Sequence, residues 1–319
     1  MPDARHRSLR RFVLAMGLPA LCAAIAGCAS SGQDATSATA GTIVAVGAEN
    51  QYANVIQQVG GRYVKVTAIE SNPNTDPHTF EASPSVAEAV STARLIVQNG
   101  VGYDTYMEKI ESASGGVASN SSRKVIDVQE LLGLPDSTSN PHLWYKPQTM
   151  PAVARAIAAD LAALQPAHAA YFKANAASFE RSLTPWYRAL AQFEAEYPGT
   201  PVATTEPVGD YMLEAAGTKN ETPFALQADI MNGVDPAPQS VTLQQGLFAD
   251  RGVKAFVYNQ QVTDSLTESF LAEAKRNGVP VVGVYETMPT PGYDYQTWML
   301  AEVRALERAV ADKASTQKL

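Results

Sequence analysis

The chain has 319 residues, 45% of them hydrophobic, and 32 acidic against 24 basic side chains give a net charge of −8. That length and apolar content are enough for two α/β lobes or one large domain, and the acidic balance argues against a nucleic-acid partner. The two cysteines, Cys22 and Cys28, both lie near the N-terminus, so no disulfide or thiolate metal site is available to the rest of the chain. Any metal must be held by nitrogen and oxygen.

Arg5, Arg7, Arg10 and Arg11 precede an apolar run, Phe12 to Ile25, that is too short to span a membrane comfortably. Ile25-Ala26-Gly27-Cys28 follows, and this pattern predicts a signal peptide over 1–27. The four residues resemble a bacterial lipobox, which implies a mature chain that starts at a lipid-bearing Cys28. Arg10-Arg11-Phe12 leaves open whether export is general or twin-arginine. Loss of residues 1–27 removes four arginines and Asp3 and moves the net charge from −8 to −11. Residues 28–41 are small and polar and read as a flexible tether.

From Thr42 the chain alternates between strand and helix signals. Thr42–Val46 and Val64–Glu70 read as strands. Between them Tyr52, Val55, Ile56 and Val59 share one helical face. Ser83 and Pro84 suit the start of a helix. Leu95–Val97 is a short apolar strand, Tyr103–Ser112 a helix, 114–122 a surface loop and Lys124–Val128 a strand. Pro151 opens a helix with Val153, Ile157, Leu161 and Leu164 on one stripe. A long helical segment from about His168 to Tyr197, which Pro185 can kink, reads as a connection between lobes. The second half repeats the alternation. Strands are expected at Pro201–Thr205, Lys254–Tyr258 and Pro280–Tyr285, and helices from Pro207, at Leu243–Asp250, at Asp264–Arg276 and around Trp298 to Val310, with 223–241 irregular. The order implies parallel sheets with helices on both faces. The expected lobes are 42–166 and 199–319, joined by a linking helix at 167–198.

Two of the four histidines, His78 and His142, sit in Asp/Asn-Pro-His loops of the first lobe. His6 lies in the leader, and His168 starts a helix as a surface or capping residue. Singly, each Pro-His histidine is more often structural than a ligand. In the second lobe Glu206 and Glu286 directly follow apolar strands, the position at which open α/β sheets bind ligands. A loop acid or a helix N-terminal charge is the simpler reading of each. Taken together, two imidazoles and two carboxylates form an N/O donor set suited to a divalent ion. Trp144 and Tyr145 beside His142 can wall such a site or pack in the core. Asn259 and Asp210 stand as open candidates to join the ligands.

Four segments bring in a family. They are D-P-H-T-F-E-A-S-P-S-V-A-E-A-V from Asp76 with R-L-I-V-Q-N-G-V-G-Y from Arg94, N-P-H-L-W-Y-K-P from Asn140, V-A-T-T-E-P-V-G-D-Y-M from Val202, and V-P-V-V-G-V-Y-E from Val279. In this order they resemble the metal-binding family of ABC-transporter solute-binding lipoproteins, which deliver manganese or zinc to a membrane permease. The resemblance implies two Rossmann-like α/β lobes with mostly parallel sheets joined by one long linking helix, and metal in the cleft between them. It implies metal ligands at His78, His142, Glu206 and Glu286. Glutamate at 206 is frequent in manganese-type members; at 286 the family usually has aspartate. No His-rich loop of the zinc type is present. Manganese is placed ahead of zinc as the transported ion. The implied protein is a monomer, not an enzyme, anchored by lipid outside the cytoplasm and served by a permease and its ATPase. The rivals are a surface adhesin on the same fold, an exported metal-dependent hydrolase, and a receptor for an organic ligand such as haem.

Overall fold

A computed structural model describes residues 41–113 and 123–319. The predicted signal peptide, Cys28, most of the tether and the loop at 114–122 lie outside the described residues. The described residues form one compact unit.

Among the described residues, eight strands fall into two sheets. The first is built from β1 (Ile43–Glu49), β2 (Val64–Glu70), β3 (Leu95–Gln98) and β4 (Lys124–Asp127), in the order β2-β1-β3-β4. The second comprises β5 (Pro201–Thr204), β6 (Lys219–Asn220), β7 (Ala255–Asn259) and β8 (Val281–Val284), in the order β6-β5-β7-β8. Every pairing is parallel. All residues of β3, β7 and β8 are buried, as expected of parallel strands covered on both faces. The α/β class and the parallel sheets agree with the reading of the sequence.

Helices in the first half are α1 (Asn50–Gly60), α2 (Pro84–Thr92), α3 (Thr105–Ala113), the one-turn α4 (Val128–Leu131) and α5 (Thr149–Leu164). Tyr52, Val55, Ile56 and Val59 of α1 are all fully buried, as their spacing requires. Ser83 stands at the N-cap of α2, but its hydroxyl pairs with Ser85 Oγ and caps no backbone amide.

The linking segment expected over 167–198 is helical with a one-residue break at Leu183, which divides it into α6 (Ala169–Ser182) and α7 (Thr184–Glu196). Pro185 lies in the first turn of α7, where its missing N–H costs no helical hydrogen bond. The interruption is the single residue Leu183, which keeps right-handed helical dihedrals, two residues before the proline expected to kink the segment. The remaining helices are α8 (Asp210–Ala215), α9 (Phe224–Met231), α10 (Pro238–Ala249), α11 (Ser265–Arg276) and α12 (Tyr295–Asp312). α8 begins three residues after Pro207, and α9 occupies part of the stretch expected to be irregular.

One apolar core runs from Ile43 through Trp144, Trp186 and Val257 to Trp298 and Ala309, so it includes side chains from both sheets. Smaller clusters cover the other face of each sheet. The same junction is tied by polar contacts: Tyr145 Oη donates to the Tyr285 carbonyl at 2.8 Å, and Tyr295 Oη to the Trp144 carbonyl at 2.6 Å.

The C-terminal ends of β1 and β8 are placed by close backbone approach. A Cβ on Gly47 would lie 2.4 Å from the Ala53 amide nitrogen in α1, and backbone cannot move aside as a flexible side chain would. Gly47→Ala is expected to cost about 1–3 kcal/mol, read as a lower urea midpoint at an unchanged slope.

Candidate metal centre

Both candidate histidines are fixed by the same local device. In Asp76-Pro77-His78 the Asp76 Oδ1 accepts the His78 backbone N–H at 2.8 Å. In Asn140-Pro141-His142 the Asn140 Oδ1 accepts the His142 backbone N–H at 3.0 Å. Proline restricts the intervening residue, and the Asx side chain mimics a backbone turn. Asn140 Oδ1 also lies 2.8 Å from His142 Nδ1. A carbonyl oxygen can only accept, so Nδ1 carries a proton, and Nε2 faces Glu286: it donates there when the ring is charged and keeps its lone pair when the ring is neutral. The Asn140 amide in turn donates to the Pro207 carbonyl at 2.8 Å, which links this loop to the one that follows Glu206.

The second sheet supplies the carboxylates. Glu286 follows β8 and is fully buried. Gln261 Oε1 accepts the backbone N–H groups of both Glu286 and Thr287, at 2.7 and 2.8 Å. Gln51 Nε2 donates to the Glu286 carbonyl at 3.2 Å, and Asn50 exchanges two hydrogen bonds with the Met288 backbone. The carboxylate is thus aimed by side chains from both halves of the chain. Its Oε2 lies 3.2 Å from His78 Nε2 and 3.2 Å from His142 Nε2, and it accepts a hydrogen bond from Tyr103 Oη at 2.8 Å.

Ligand atoms of His78, His142 and Glu286 all lie within 4.8 Å of one another, and this trio could hold a metal ion. Glu206 stands one step away. Asn259 Nδ2 donates to Glu206 Oε1 at 3.1 Å and to Glu286 Oε1 at 2.8 Å, so it bridges the two acids. Glu206 Oε2 is buried without a hydrogen-bond partner. Of the two open candidates, Asn259 belongs to the centre. Asp210 does not; it accepts from Asn220 and Gln227. Trp144 and Tyr145 are both fully buried, and the Trp144 ring lies 5.4 Å from His142 and 5.1 Å from Tyr103, so it walls the centre and packs in the core at once.

Sequence reasoning missed Gln261, Asn140 as a ring acceptor, and Tyr103 as a donor to Glu286. Asn140 was legible in principle, because Asp76 and Asn140 hold equivalent places in the two Pro-His loops. Nothing local in the sequence marks Gln261 or Tyr103.

Electrostatics makes the centre a cation trap. Burial pushes the Glu286 carboxyl up, but the hydrogen bonds from His142 and His78 outweigh it and hold the group well below the usual carboxylate range. Burial opposes the charging of His78 as well, yet Glu286 prevails and raises it. At the fully enclosed His142, burial wins and the imidazole is lowered. Burial and the charge of Glu286 push Glu206 well up. A divalent ion in place of the protons would satisfy all four groups. Two imidazoles and two carboxylates, without sulfur, suit a borderline or hard divalent ion.

Because Gln261 holds two backbone N–H groups without touching the ion's place, Gln261→Ala is expected to weaken zinc or manganese binding by about 10–100-fold while stoichiometry persists. Titration of the metal-stripped chain against a competing chelator reads this out.

The sequence profile of the family described as "Zinc-uptake complex component A periplasmic" (ZnuA) matches residues 46–309. The manganese-binding lipoprotein MntA of Bacillus subtilis is 25% identical over 136 residues, 42% of this chain and 44% of that protein. A putative metal-binding protein of Thermotoga maritima is 32% identical over 98 residues, 31% of this chain and 33% of its own. The chain therefore spans less than half the length of these curated relatives. Among solved structures, the periplasmic zinc-binding protein TroA of Treponema pallidum superposes with a TM-score of 0.70 at 18% identity, over 86% of this chain and 100% of that one. A crystal structure of ZnuA gives 0.68 at 20%, over 85% and 100%. A mutant of the laminin-binding adhesin Lmb of Streptococcus agalactiae gives 0.69 at 18%, over 84% and 99%. At such identities the structural likenesses establish the fold.

Proposed function

The chain belongs to the periplasmic zinc-uptake complex component A family, whose profile covers residues 46–309, and from that premise we propose that it captures a divalent transition metal between its two sheets and passes it to a membrane permease. The observation that carries the reading is the meeting of two imidazole Nε2 atoms on one buried carboxylate oxygen, each at 3.2 Å. His78 and His142 supply nitrogen from the first half. Glu286 and, once Asn259 releases it, Glu206 supply oxygen from the second. The unpartnered Glu206 Oε2 supports its inclusion.

The ion is cargo, and no bond chemistry is involved. Bound, it neutralises two carboxylates and crosslinks elements of both sheets, so it favours the closed arrangement over an open one. Release follows when the carboxylate half moves away. Manganese is placed ahead of zinc, because two glutamates can offer up to four oxygens, although a fixed N/O site has the higher intrinsic affinity for zinc. The chain works as a monomer with an ABC permease and its ATPase. Cys28 carries the lipid that holds it outside the cytoplasm.

Stripped with chelator and offered manganese and zinc together, the chain is expected to retain one ion per molecule, and His78→Ala and Glu206→Ala each lose it. Elemental analysis identifies the retained ion. No stoichiometric metal, or binding indifferent to both changes, would sink the site and favour the adhesin reading. Acidification gives a second check. His78 must be neutral to bind, and its raised folded pKa means that protons compete from above the ordinary histidine value of about 6.5. Affinity is therefore expected to fall as pH drops from neutrality, and a pH-independent affinity would contradict a histidine ligand.

A further inference from the structure

A cavity of about 250 Å³, lined by none of the metal ligands, opens among the ends of α10, α11 and α12. Arg251, Lys254 and Lys313 line it, and no acidic side chain does. Among the described residues, none of the three forms an ion pair, so no carboxylate neutralises them directly.

The simplest account is that these cations offset the negative ends of three helices. Each C-terminus amounts to roughly half an elementary charge, so about one and a half negative charges face three full positive ones. Roughly half of the cationic charge is left over. Backbone geometry adds an independent sign. Arg251 has φ 53° and Lys313 φ 55°, and only Val101 among the other non-glycine residues of the described chain shares that left-handed conformation. Each follows a helix end, where glycine takes the same conformation without strain. The third helix at this cavity, α11, does use glycine there: Gly278, at φ 71°. Two of three equivalent positions thus tolerate a strained backbone to place a cation on the cavity.

We infer that this cavity is an oxyanion site that takes a phosphate group, from free phosphate or from an anionic lipid headgroup. Lys254 and Lys313 act as the free point charges. Arg251 is partly committed, since its Nε donates to the Asn277 carbonyl at 3.0 Å. Its remaining guanidinium N–H groups suit a tetrahedral oxyanion.

The test uses the full chain and the variants Lys313→Gly and Lys254→Gln/Lys313→Gly. Inorganic phosphate at constant ionic strength is expected to raise the melting temperature of the parent more than chloride does. The double variant should weaken that effect by about tenfold or more, the loss of at least one charge-assisted contact. Without phosphate, Lys313→Gly should melt higher than the parent because the strain is gone; a lower melting point would make the lysine a structural cap and overturn the inference. Flotation with phosphatidylglycerol and phosphatidylcholine vesicles separates the sources. A preference for the anionic vesicles that the double variant loses identifies a lipid headgroup, and phosphate stabilisation without such a preference identifies the free anion. No phosphate effect and no vesicle preference, or either one surviving in the double variant, overturns the site. Metal stoichiometry should be unchanged throughout.

Discussion

One buried oxygen, Glu286 Oε2, is the point on which the two halves of this fold depend. Two imidazoles and a phenol from the first half meet it, although it belongs to the loop after β8. A carboxylate enclosed to that degree is tolerated only with its lone pairs occupied. The surrounding chain answers that requirement. Asn259 takes the other oxygen, Gln261 and Gln51 hold the backbone, and Tyr145 grips the preceding carbonyl. Parallel sheets make the meeting possible, because they gather the C-terminal ends of their strands at one edge. Here the edges of two sheets supply complementary halves of a donor set.

The same region carries more buried acid than the centre itself uses. Glu49 and Glu70 end the paired strands β1 and β2, and Asp104 lies close by. Burial, reinforced by neighbouring acids, pushes Glu70 up to about 9; burial takes Asp104 to about 7 even against the amides of Asn99 and Gly100. Both Glu49 oxygens are buried without hydrogen-bond partners. Such groups reduce their desolvation cost by staying protonated, and a divalent ion nearby would shift them toward the charged form.

Much of this was legible in the chain. Strands β1, β2, β3 and β7 follow from apolar runs bounded by glycine, proline or polar turns, and the buried face of α1 follows from the spacing of Tyr52, Val55, Ile56 and Val59. The Pro-His loops announced two histidines, and the position of Glu206 and Glu286 after strands announced two acids. What was hidden has physical causes. α9 is eight residues between Pro223 and Gly233, a length at which punctuation outweighs periodicity. The break at Leu183 turns on whether Pro185 falls in a first turn or an interior one, which depends on packing of the flanking helices. Gln261 and Tyr103 act on Glu286 from 25 and 183 positions away, and no local pattern encodes such reach. Glu206 shows the opposite case: its place after a strand is visible in the sequence, but the hydrogen bond that Asn259 donates to it is not.

The two Asx-Pro-His turns make the centre asymmetric in its construction. Each histidine takes its orientation from an acceptor two residues upstream, so the nitrogen half is written into two tripeptides. The oxygen half is assembled from distant parts of the chain. Opening the cleft would dismantle the second and leave the first intact, a preassembled pair of imidazoles waiting for an ion. Modularity follows: the character of the captured ion could be rewritten by changes in the second sheet alone, with the histidine turns retained as a fixed cassette.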